Sequence, residues 1–139
     1  MGAREVFVDS GAFHALLVSN DPFHAAAVKC LQTMRVSRRG LVTTDYILDE
    51  SATLLKARGM GAQIPHLFDL VESSRALTVE WIAEDRFIAA RNFLIRHNDH
   101  AYSFTDCTSF VVMRELEIHD TLTADRHFRE AGFHPLLSP

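Results

Sequence analysis

The segment that decides the fold is VFVDSGAFHALL, residues 6–17. Its first three residues form a short apolar run that stops at Asp9, and apolar side chains return at helical spacing from Ala12 to Leu17. This pattern predicts a buried strand, a turn and a helix in that order. The turn carries two polar side chains, those of Asp9 and Ser10, directly after the strand.

Short apolar runs and helical patterns continue to alternate along the chain. Asn20 and Asp21 offer a capping side chain and Pro22 suits a first turn, so a helix is expected from there to about Ser37. Further helices are expected at about residues 45–58, 62–74, 83–97, from 103 onward and 125–131, and further strands at about 41–44, 77–81, 120–123 and 133–137.

The order of these elements predicts the fold class. Strands that are separated by helices need crossover connections, which join parallel neighbours. We therefore expect an α/β fold with a central, mainly parallel sheet of about five strands flanked by helices on both faces. A chain of 139 residues with 47% hydrophobic residues has room for one such core, so a single domain over residues 1–139 is predicted.

Four acidic residues lie where predicted strands pass into helices or where helices begin: Asp9, Glu50, Asp106 and Asp125. In an open parallel sheet these points share the carboxyl edge, where such folds bind their ligands. The helical pattern places Glu50 at the margin of the apolar side and its neighbour Asp49 on the polar side. We therefore expect the four carboxylates to meet at one site.

Each of these acids also has an ordinary structural explanation. Aspartate caps helices, and an acid in a first turn is stabilised by the helix dipole. Ser103 and Asp106 have the spacing of a capping box, in which each side chain accepts a backbone hydrogen bond from the other residue. Capping therefore stays an alternative to a functional role for Asp9, Asp106 and Asp125.

A cluster of carboxylates implies a cation. Four of them in a partly buried site would repel one another unless a metal ion neutralised them. An all-oxygen ligand set suits Mg²⁺ or Mn²⁺, and the eight histidines form no HExxH motif of the kind that binds zinc. His14 and His127 lie nearest to the predicted site, and the other histidines are expected at the surface or in packing.

A carboxylate-bound divalent ion suits the hydrolysis of a phosphodiester bond, because it neutralises the phosphate and lowers the pKa of the attacking water. We expect the four acids to be catalytic metal ligands, one of them also serving as general base. Nearby hydroxyls are expected to support them by hydrogen bonds, although each also suits a cap or a turn: those of Ser10, Thr44, Thr105 and Thr123.

The charge of the chain limits the surfaces that could bind nucleic acid. A formal net charge of −4 and a pI near 6.0 argue against an overall basic coat. Arg35, Arg38 and Arg39 form one local basic run. They are expected to be the solvated end of a helix, with a basic rim for RNA as the alternative.

Nothing in the chain indicates export or a membrane span. No uncharged apolar run approaches the roughly 18 residues that a membrane helix needs, and the start MGAREVFVDS has neither the basic nor the apolar region of a signal peptide. Cys30 and Cys107 lie too far apart for a CxxC motif. We therefore expect a cytoplasmic protein with reduced thiols and no membrane partner.

Four blocks of the chain resemble the PIN-domain ribonucleases, and among them the VapC-like toxins of toxin–antitoxin pairs. The blocks are FVDSGAFHALL with Asp9, TTDYILDESATLL with Glu50, SFTDCTSFVVMRE with Asp106, and LTADRHFREAGF with Asp125. They stand in the family's order at about its spacing and cover nearly the whole chain. The last block also adds Arg126 to the residues expected to support the site or bind substrate.

The resemblance implies both an activity and its partners. It implies cleavage of single-stranded or structured RNA that depends on Mg²⁺ or Mn²⁺, frequent homodimerisation, and an antitoxin protein that inserts a segment across the active site. Two positions depart from the family pattern. Gly11 stands where many members carry serine and His127 where some carry a further acid, which puts a second metal in doubt.

Several alternatives remain open at this point. A catalytically silent PIN-like module that binds RNA or protein is disfavoured by the complete set of four acids, and a housekeeping RNA-processing nuclease has the same residues as a toxin. A phosphate-transfer protein is disfavoured because the turn after the first strand lacks a DxD motif. Apolar surface around Leu31 and Leu67 is expected to support dimerisation.

Overall fold

The structure, a computed structural model, describes residues 4–138. Within that range five strands form one sheet: β1 (Val6–Val8), β2 (Leu41–Thr44), β3 (Leu77–Glu80), β4 (Asp120–Leu122) and β5 (His134–Pro135). They lie in the order β3, β2, β1, β4, β5, and each neighbouring pair is parallel. The predicted parallel sheet of about five strands is confirmed.

Seven α-helices connect or flank these strands within the described residues. They are α1 (Ser10–Leu17), α2 (His24–Val36), α3 (Asp45–Ala57), α4 (Ile64–Ser73), α5 (Glu84–Arg96), α6 (Phe104–Glu115) and α7 (Arg126–Glu130), and a short 3₁₀ turn, Gly61–Gln63, precedes α4. The chain moves outward from β1 to β3 and then returns to the other side of β1. Crossovers of the same hand on the two sides of β1 place their helices on opposite faces of the sheet. In residues 4–138 no helix has the length and apolar character to cross a membrane.

The core lies on both sides of the short central strands. Every side chain of β1 is buried, as expected for a strand that is covered on both faces. Phe110 of α6 is fully buried and packs edge to face with Phe128 of α7 at 5.1 Å between ring centroids, and Phe128 in turn lies 6.4 Å from Phe7 of β1. These aromatic contacts hold α6 and α7 rigidly beside the sheet.

The second helix begins later than its sequence pattern indicates. Asn20 to Pro22 form a turn, and α2 starts at His24. The reason is tertiary, because Asp21 uses one oxygen to accept a hydrogen bond from Phe23 N at 2.7 Å and the other to contact His14 Nδ1 at 2.6 Å. The carboxylate that was expected to cap the helix thus holds a buried histidine of α1.

The prediction of apolar surface around Leu31 and Leu67 was wrong for Leu67. Leu67 is fully buried in the core, because it lies on the inner side of α4, and Leu31 is half-buried. Large exposed apolar side chains lie elsewhere: Trp81 and Ile95 are each 68% exposed, and Ile88 of α5 is exposed as well.

Candidate functional site

The topology brings the ends of β1 and β4 together at the point where the order of strands reverses. Asp9 follows β1 directly, and Thr123 and Asp125 follow β4. The backbone N–H of Asp9 donates to the carbonyl of Leu122 at 3.3 Å, which continues the pairing of the two strands to their carboxyl ends. A crevice at such a reversal is where open α/β sheets bind ligands.

Asp9 is buried at the N-cap position of α1. It precedes α1, but its side chain makes no capping hydrogen bond, and only 6% of the residue is exposed. Its Oδ2 accepts a hydrogen bond from Thr123 Oγ1 at 2.8 Å. Burial raises the pKa of Asp9 to about 7, although the Thr123 hydroxyl opposes this shift and the charges of Glu50 and Asp106 add to it.

Glu50 faces Asp9 from the adjacent helix α3. Ser10 donates a hydrogen bond from its hydroxyl to Oε1 of Glu50. Burial raises the pKa of Glu50, the Ser10 hydrogen bond opposes the shift, and the charges of Asp106 and Asp125 add to it. Glu50 is half-buried while its neighbour Asp49 is exposed, which agrees with the orientation that the helical pattern predicts.

Asp106 takes part in a capping box and also faces the other acids. Its Oδ2 accepts from Ser103 N at 3.1 Å, and Ser103 Oγ accepts from Asp106 N at 3.0 Å. The same Oδ2 lies 3.1 Å from His127 Nδ1. Burial raises the pKa of Asp106 and the charge of Asp125 adds to the rise, while the Ser103 backbone and His127 oppose it. The capping explanation is therefore correct but incomplete.

Asp125 and His127 complete the cluster from the start of α7. Asp125 caps α7, since its Oδ1 accepts from His127 N at 2.9 Å, and that oxygen also lies 3.5 Å from His127 Nδ1. One ligand atom from each of Asp106, Asp125 and His127 lies within 4.8 Å of the other two. Asp9 and Glu50 stand outside that compact group, although their charges act on its members.

The residues predicted to support the acids divide into two groups. Ser10 and Thr123 donate to Glu50 and Asp9, as described above. The structure gives the others no hydrogen bond or ion pair with the four acids, within residues 4–138: Thr44 caps α3 by accepting from Ile47 N, Thr105 contributes only its carbonyl to hydrogen bonds inside α6, and Arg126 is 85% exposed beside Glu130. Thr44 and Thr105 make hydrogen bonds within their own helices, and Arg126 is surrounded by solvent.

A cavity of about 390 Å³ opens beside the acids. Asp9 and Asp125 line it together with His14, Asp21 and Arg58. Asp21 orients the imidazole of His14 through Nδ1, and Nε2 of His14 is buried with no hydrogen-bond partner among the described residues. Arg58 supplies an exposed positive charge to the same cavity, as required of a surface that receives an anion next to carboxylates.

The arginine run after α2 lies away from the acids. Arg38 and Arg39 precede β2, at the amino ends of the strands, whereas the acids lie at the carboxyl ends. Arg39 pairs with Asp120 at 2.8 Å. Together with Arg35, these residues line a second, largely apolar cavity of about 460 Å³. Arg35 lies in the last turn of α2, as predicted for a helix end. The three arginines form no basic rim beside the four acids in the described part of the chain.

The donor set of the site suits a divalent cation. The pKa values of Asp9, Glu50 and Asp106 are all raised. Too little positive charge therefore lies near these carboxylates to offset the free energy of burying their ionised forms. A bound cation would remove this penalty. Carboxylate oxygens are the ligands of Mg²⁺ and Mn²⁺, and His127 adds one nitrogen.

Comparisons with known proteins agree with this geometry. The family model described as the PIN domain matches residues 6–134. The 23S rRNA-specific endonuclease VapC20 of Mycobacterium tuberculosis, from strains CDC 1551 and H37Rv, is 33% identical over 129 residues, which are 92% of this chain and 95% of that protein. The crystal structure of M. tuberculosis VapC20, described as a Sarcin-Ricin loop cleaving toxin, superposes with a TM-score of 0.81 at 30% identity and covers 93% of this chain and 96% of that one.

Proposed function

Because the chain belongs to the PIN domain family, we propose that it is a divalent-metal-dependent endoribonuclease that hydrolyses RNA phosphodiester bonds and serves as the toxin of a toxin–antitoxin pair. The observation that carries the proposal is that Asp9, Glu50 and Asp106 lie at one edge of the sheet with pKa values raised first by burial, and that the charges of neighbouring acids, Asp125 among them, add to the rise. Isolated helix caps would not raise one another's pKa values.

The four acids hold Mg²⁺ or Mn²⁺ in this proposal. When bound, the ion neutralises the phosphate and lowers the pKa of the attacking water. Thr123 and Ser10 keep the carboxylates of Asp9 and Glu50 in fixed orientations. Glu50 is half-buried, and burial raises its pKa, which makes it a stronger proton acceptor for the attacking water than an ordinary glutamate.

We further propose that the substrate is a structured ribosomal RNA loop. The relatives that support this step carry the names 23S rRNA-specific endonuclease and Sarcin-Ricin loop cleaving toxin. Arg58 lies in the cavity that Asp9 and Asp125 line, where a guanidinium can bind a phosphate next to the scissile bond. The ribosome is also a cytoplasmic target, which agrees with the expected location.

Two protein partners belong to the proposal. The first is an antitoxin whose inserted segment would cover the acids. The largely apolar cavity lined by Leu31 and Leu70, with Arg35, Arg38 and Arg75 among its lining residues, lies away from the acids and would suit a further segment of the same partner with apolar and acidic side chains. The second is another copy of the chain, and the exposed apolar side chains Trp81, Ile88 and Ile95 support such a homodimer.

The deciding experiment is cleavage of ribosomes and total RNA by the purified protein with Mg²⁺ or Mn²⁺, with the cut positions mapped by primer extension. We expect cleavage by the wild type and none by Asp106→Asn or with EDTA. A matched pair tests the orientation of α3, because Glu50→Gln should abolish cleavage while the exposed Asp49→Asn should leave it unchanged. Cleavage by Asp106→Asn in the presence of EDTA would refute the proposal.

The remaining alternatives predict different results in the same experiments. A silent binding module would bind RNA tightly and cleave nothing under any divalent ion. A housekeeping nuclease would cleave RNA, but its induction would not arrest growth in a way that a neighbouring gene product relieves. The toxin proposal requires both the cleavage and the relief.

A further inference from the structure

His127 lies between two of the proposed metal ligands. Its Nδ1 is 3.1 Å from Oδ2 of Asp106 and 3.5 Å from Oδ1 of Asp125. A single N–H can point directly at only one of these oxygens. The imidazole is also held from the side, because the ring of Tyr102 packs edge to face against it with centroids 5.7 Å apart. The nitrogen therefore has a defined position facing two carboxylates.

We propose that His127 is itself a metal ligand, through Nδ1, and that this nitrogen makes the site prefer Mn²⁺ to Mg²⁺. The inference rests on the proposed metal-dependent nuclease function and adds to it the identity of a ligand and of the preferred ion. It also explains why His127 is fixed at both ends, since its backbone N–H donates to Asp125 while its ring faces Asp106.

The distances fit shared coordination. Two ligand atoms that lie about 2.1 Å from a cation and at right angles to each other are about 3.0 Å apart. The separation of 3.1 Å between Asp106 Oδ2 and His127 Nδ1 is close to this value, and the 3.5 Å to Asp125 Oδ1 needs only a small adjustment. The side chains therefore stand near the spacing of neighbouring ligands without rearrangement of α6 or α7.

The chemistry of the nitrogen predicts the preference. Mg²⁺ binds oxygen and gives up its water reluctantly. First-row transition ions accept imidazole more readily, and Mn²⁺ is the one among them that also suits a carboxylate-rich site. A site with Asp106 and Asp125 as oxygen ligands and His127 as a nitrogen ligand should therefore bind Mn²⁺ more tightly than Mg²⁺.

A different role for His127 would give the same loss of activity on mutation. If the imidazole only hydrogen-bonds to Asp106, it would orient that carboxylate without touching the ion. Activity alone cannot separate a ligand from such a positioning residue. Nitrogen coupling to a bound Mn²⁺ can, because the modulation of the electron spin echo by ¹⁴N requires the imidazole nitrogen to be bound to the metal.

The experiment is pulsed EPR of the full-length protein with one equivalent of Mn²⁺, beside calorimetric titrations with Mn²⁺ and with Mg²⁺. We expect ¹⁴N modulation in the wild type and in His119→Ala, whose histidine is exposed outside the acid cluster, and none in His127→Ala. His127→Ala should weaken Mn²⁺ binding at least about tenfold, as the loss of even an outer-shell partner often does. His127→Asp should lower the preference for Mn²⁺ over Mg²⁺, since it replaces nitrogen with oxygen.

Two results would overturn the inference: Mn²⁺ binding without ¹⁴N modulation in the wild type, or modulation that survives in His127→Ala. If His127→Ala failed to fold, His127→Gln and uniformly ¹⁵N-histidine-labelled wild type would replace it, because the label changes the modulation without changing the protein. Cleavage of RNA by the same wild-type sample tests the nuclease function separately. If the wild type cleaved RNA but showed no nitrogen coupling, the proposed nuclease function would stand and the ligand role of His127 would be refuted.

Discussion

Thr123 donates a hydrogen bond from Oγ1 to Oδ2 of Asp9 at 2.8 Å, although 114 positions separate the two residues in the chain. Parallel pairing of β1 with β4 produces this contact, because both residues lie just beyond the carboxyl ends of those strands. The hydroxyl stabilises the charged form of a buried carboxylate that otherwise favours its proton. The fold thus adjusts the charge of Asp9 through a residue at the far end of the sequence.

Replacement of Thr123 by valine should move the pH dependence of cleavage. The loss of the hydrogen bond raises the pKa of Asp9 above about 7, so metal binding at Asp9 requires a higher pH. We expect the acidic limb of the pH–rate profile to shift upward by about one unit. Thr121→Val is the matched control, because the Thr121 hydroxyl is buried in β4 and has no hydrogen-bond partner within residues 4–138. Equal profiles for both variants would contradict this role of Thr123.

The stability of the metal-free protein should fall as the pH rises. Unfolded Asp9 ionises near its ordinary value of 3.8, whereas folded Asp9 keeps its proton up to about pH 7, so the folded state binds more protons between these values. The stability is full below the lower value and decreases through the window by an amount on the order of a few kcal/mol. Urea unfolding in EDTA at pH 5 and pH 8 measures it.

Asp9→Asn tests the assignment of that pH dependence. The asparagine cannot ionise, so the variant should lose stability less steeply between pH 5 and pH 8 than the wild type does. Glu50 and Asp106, whose pKa values are also raised, account for the remaining slope. Addition of Mn²⁺ at pH 8 should restore the stability of the wild type and restore little in the variant. An unchanged slope in Asp9→Asn would exclude Asp9 as its source.

Arg58→Gln should weaken substrate binding more than it slows the chemical step. Arg58 is exposed and lines the cavity beside Asp9 and Asp125. Removal of one charged phosphate contact should raise KM about tenfold and leave kcat within a factor of a few. Steady-state kinetics on a short RNA hairpin measure both constants. Arg35→Gln, in the other cavity, serves as the control, and a similar effect of both variants would indicate only a general charge effect.

Phe110→Ala should destabilise the whole domain, because this ring joins α6 to the core. Phe110 is fully buried and contacts Phe93, Phe128 and Phe133. The cavity left by the alanine should lower the free energy of unfolding by about 3–5 kcal/mol, measured by urea titration. Phe87→Ala, at an exposed ring of α5, should cost far less. Comparable losses in both variants would contradict the assignment of Phe110 to the core.

Ile95→Glu should disrupt the proposed homodimer. A charge on the side of α5 that carries the exposed Ile88 and Ile95 would be buried in the dimer interface without a partner. Sedimentation velocity of wild type and variant at equal concentration measures the change from dimer to monomer. Val36→Glu is the control, since Val36 is exposed at the end of α2. A wild type that is monomeric, or a variant that stays dimeric, would remove this surface from the proposal.

Local pattern was sufficient for most elements and insufficient for one. Short apolar runs predicted every strand within residues 4–138, because a strand that is buried on both faces must be apolar. Apolar side chains at helical spacing predicted the helices between them, because one side of each helix packs against the core. The start of α2 was missed because Asp21 is engaged by His14, a contact between residues that local capping rules do not consider. Leu67 was misplaced for a similar reason, since the side of α4 that faces the core depends on packing.

The site shows the same division. The positions of four acids, after strands or in the first turns of helices, predicted one shared site, and capping stayed an alternative for three of them. His127 was predicted only to lie near the site, at a position where some members of the family carry a further acid, and its contact with Asp106 was not predicted. The contact of His127 with Asp106 depends on how α6 and α7 pack, and Phe110 and Phe128 set that packing.

By itself, the sequence determined the class of fold, the order of its elements and the presence of four acids after strands or in the first turns of helices, because hydrophobic spacing and capping chemistry act over a few neighbouring residues. The tertiary structure alone decided which hydroxyl supports which acid, that Asp106 both caps α6 and faces His127, and that the arginines after α2 lie away from the acids. These relationships join residues that are distant in the chain, so they depend on strand order and core packing rather than on any local pattern.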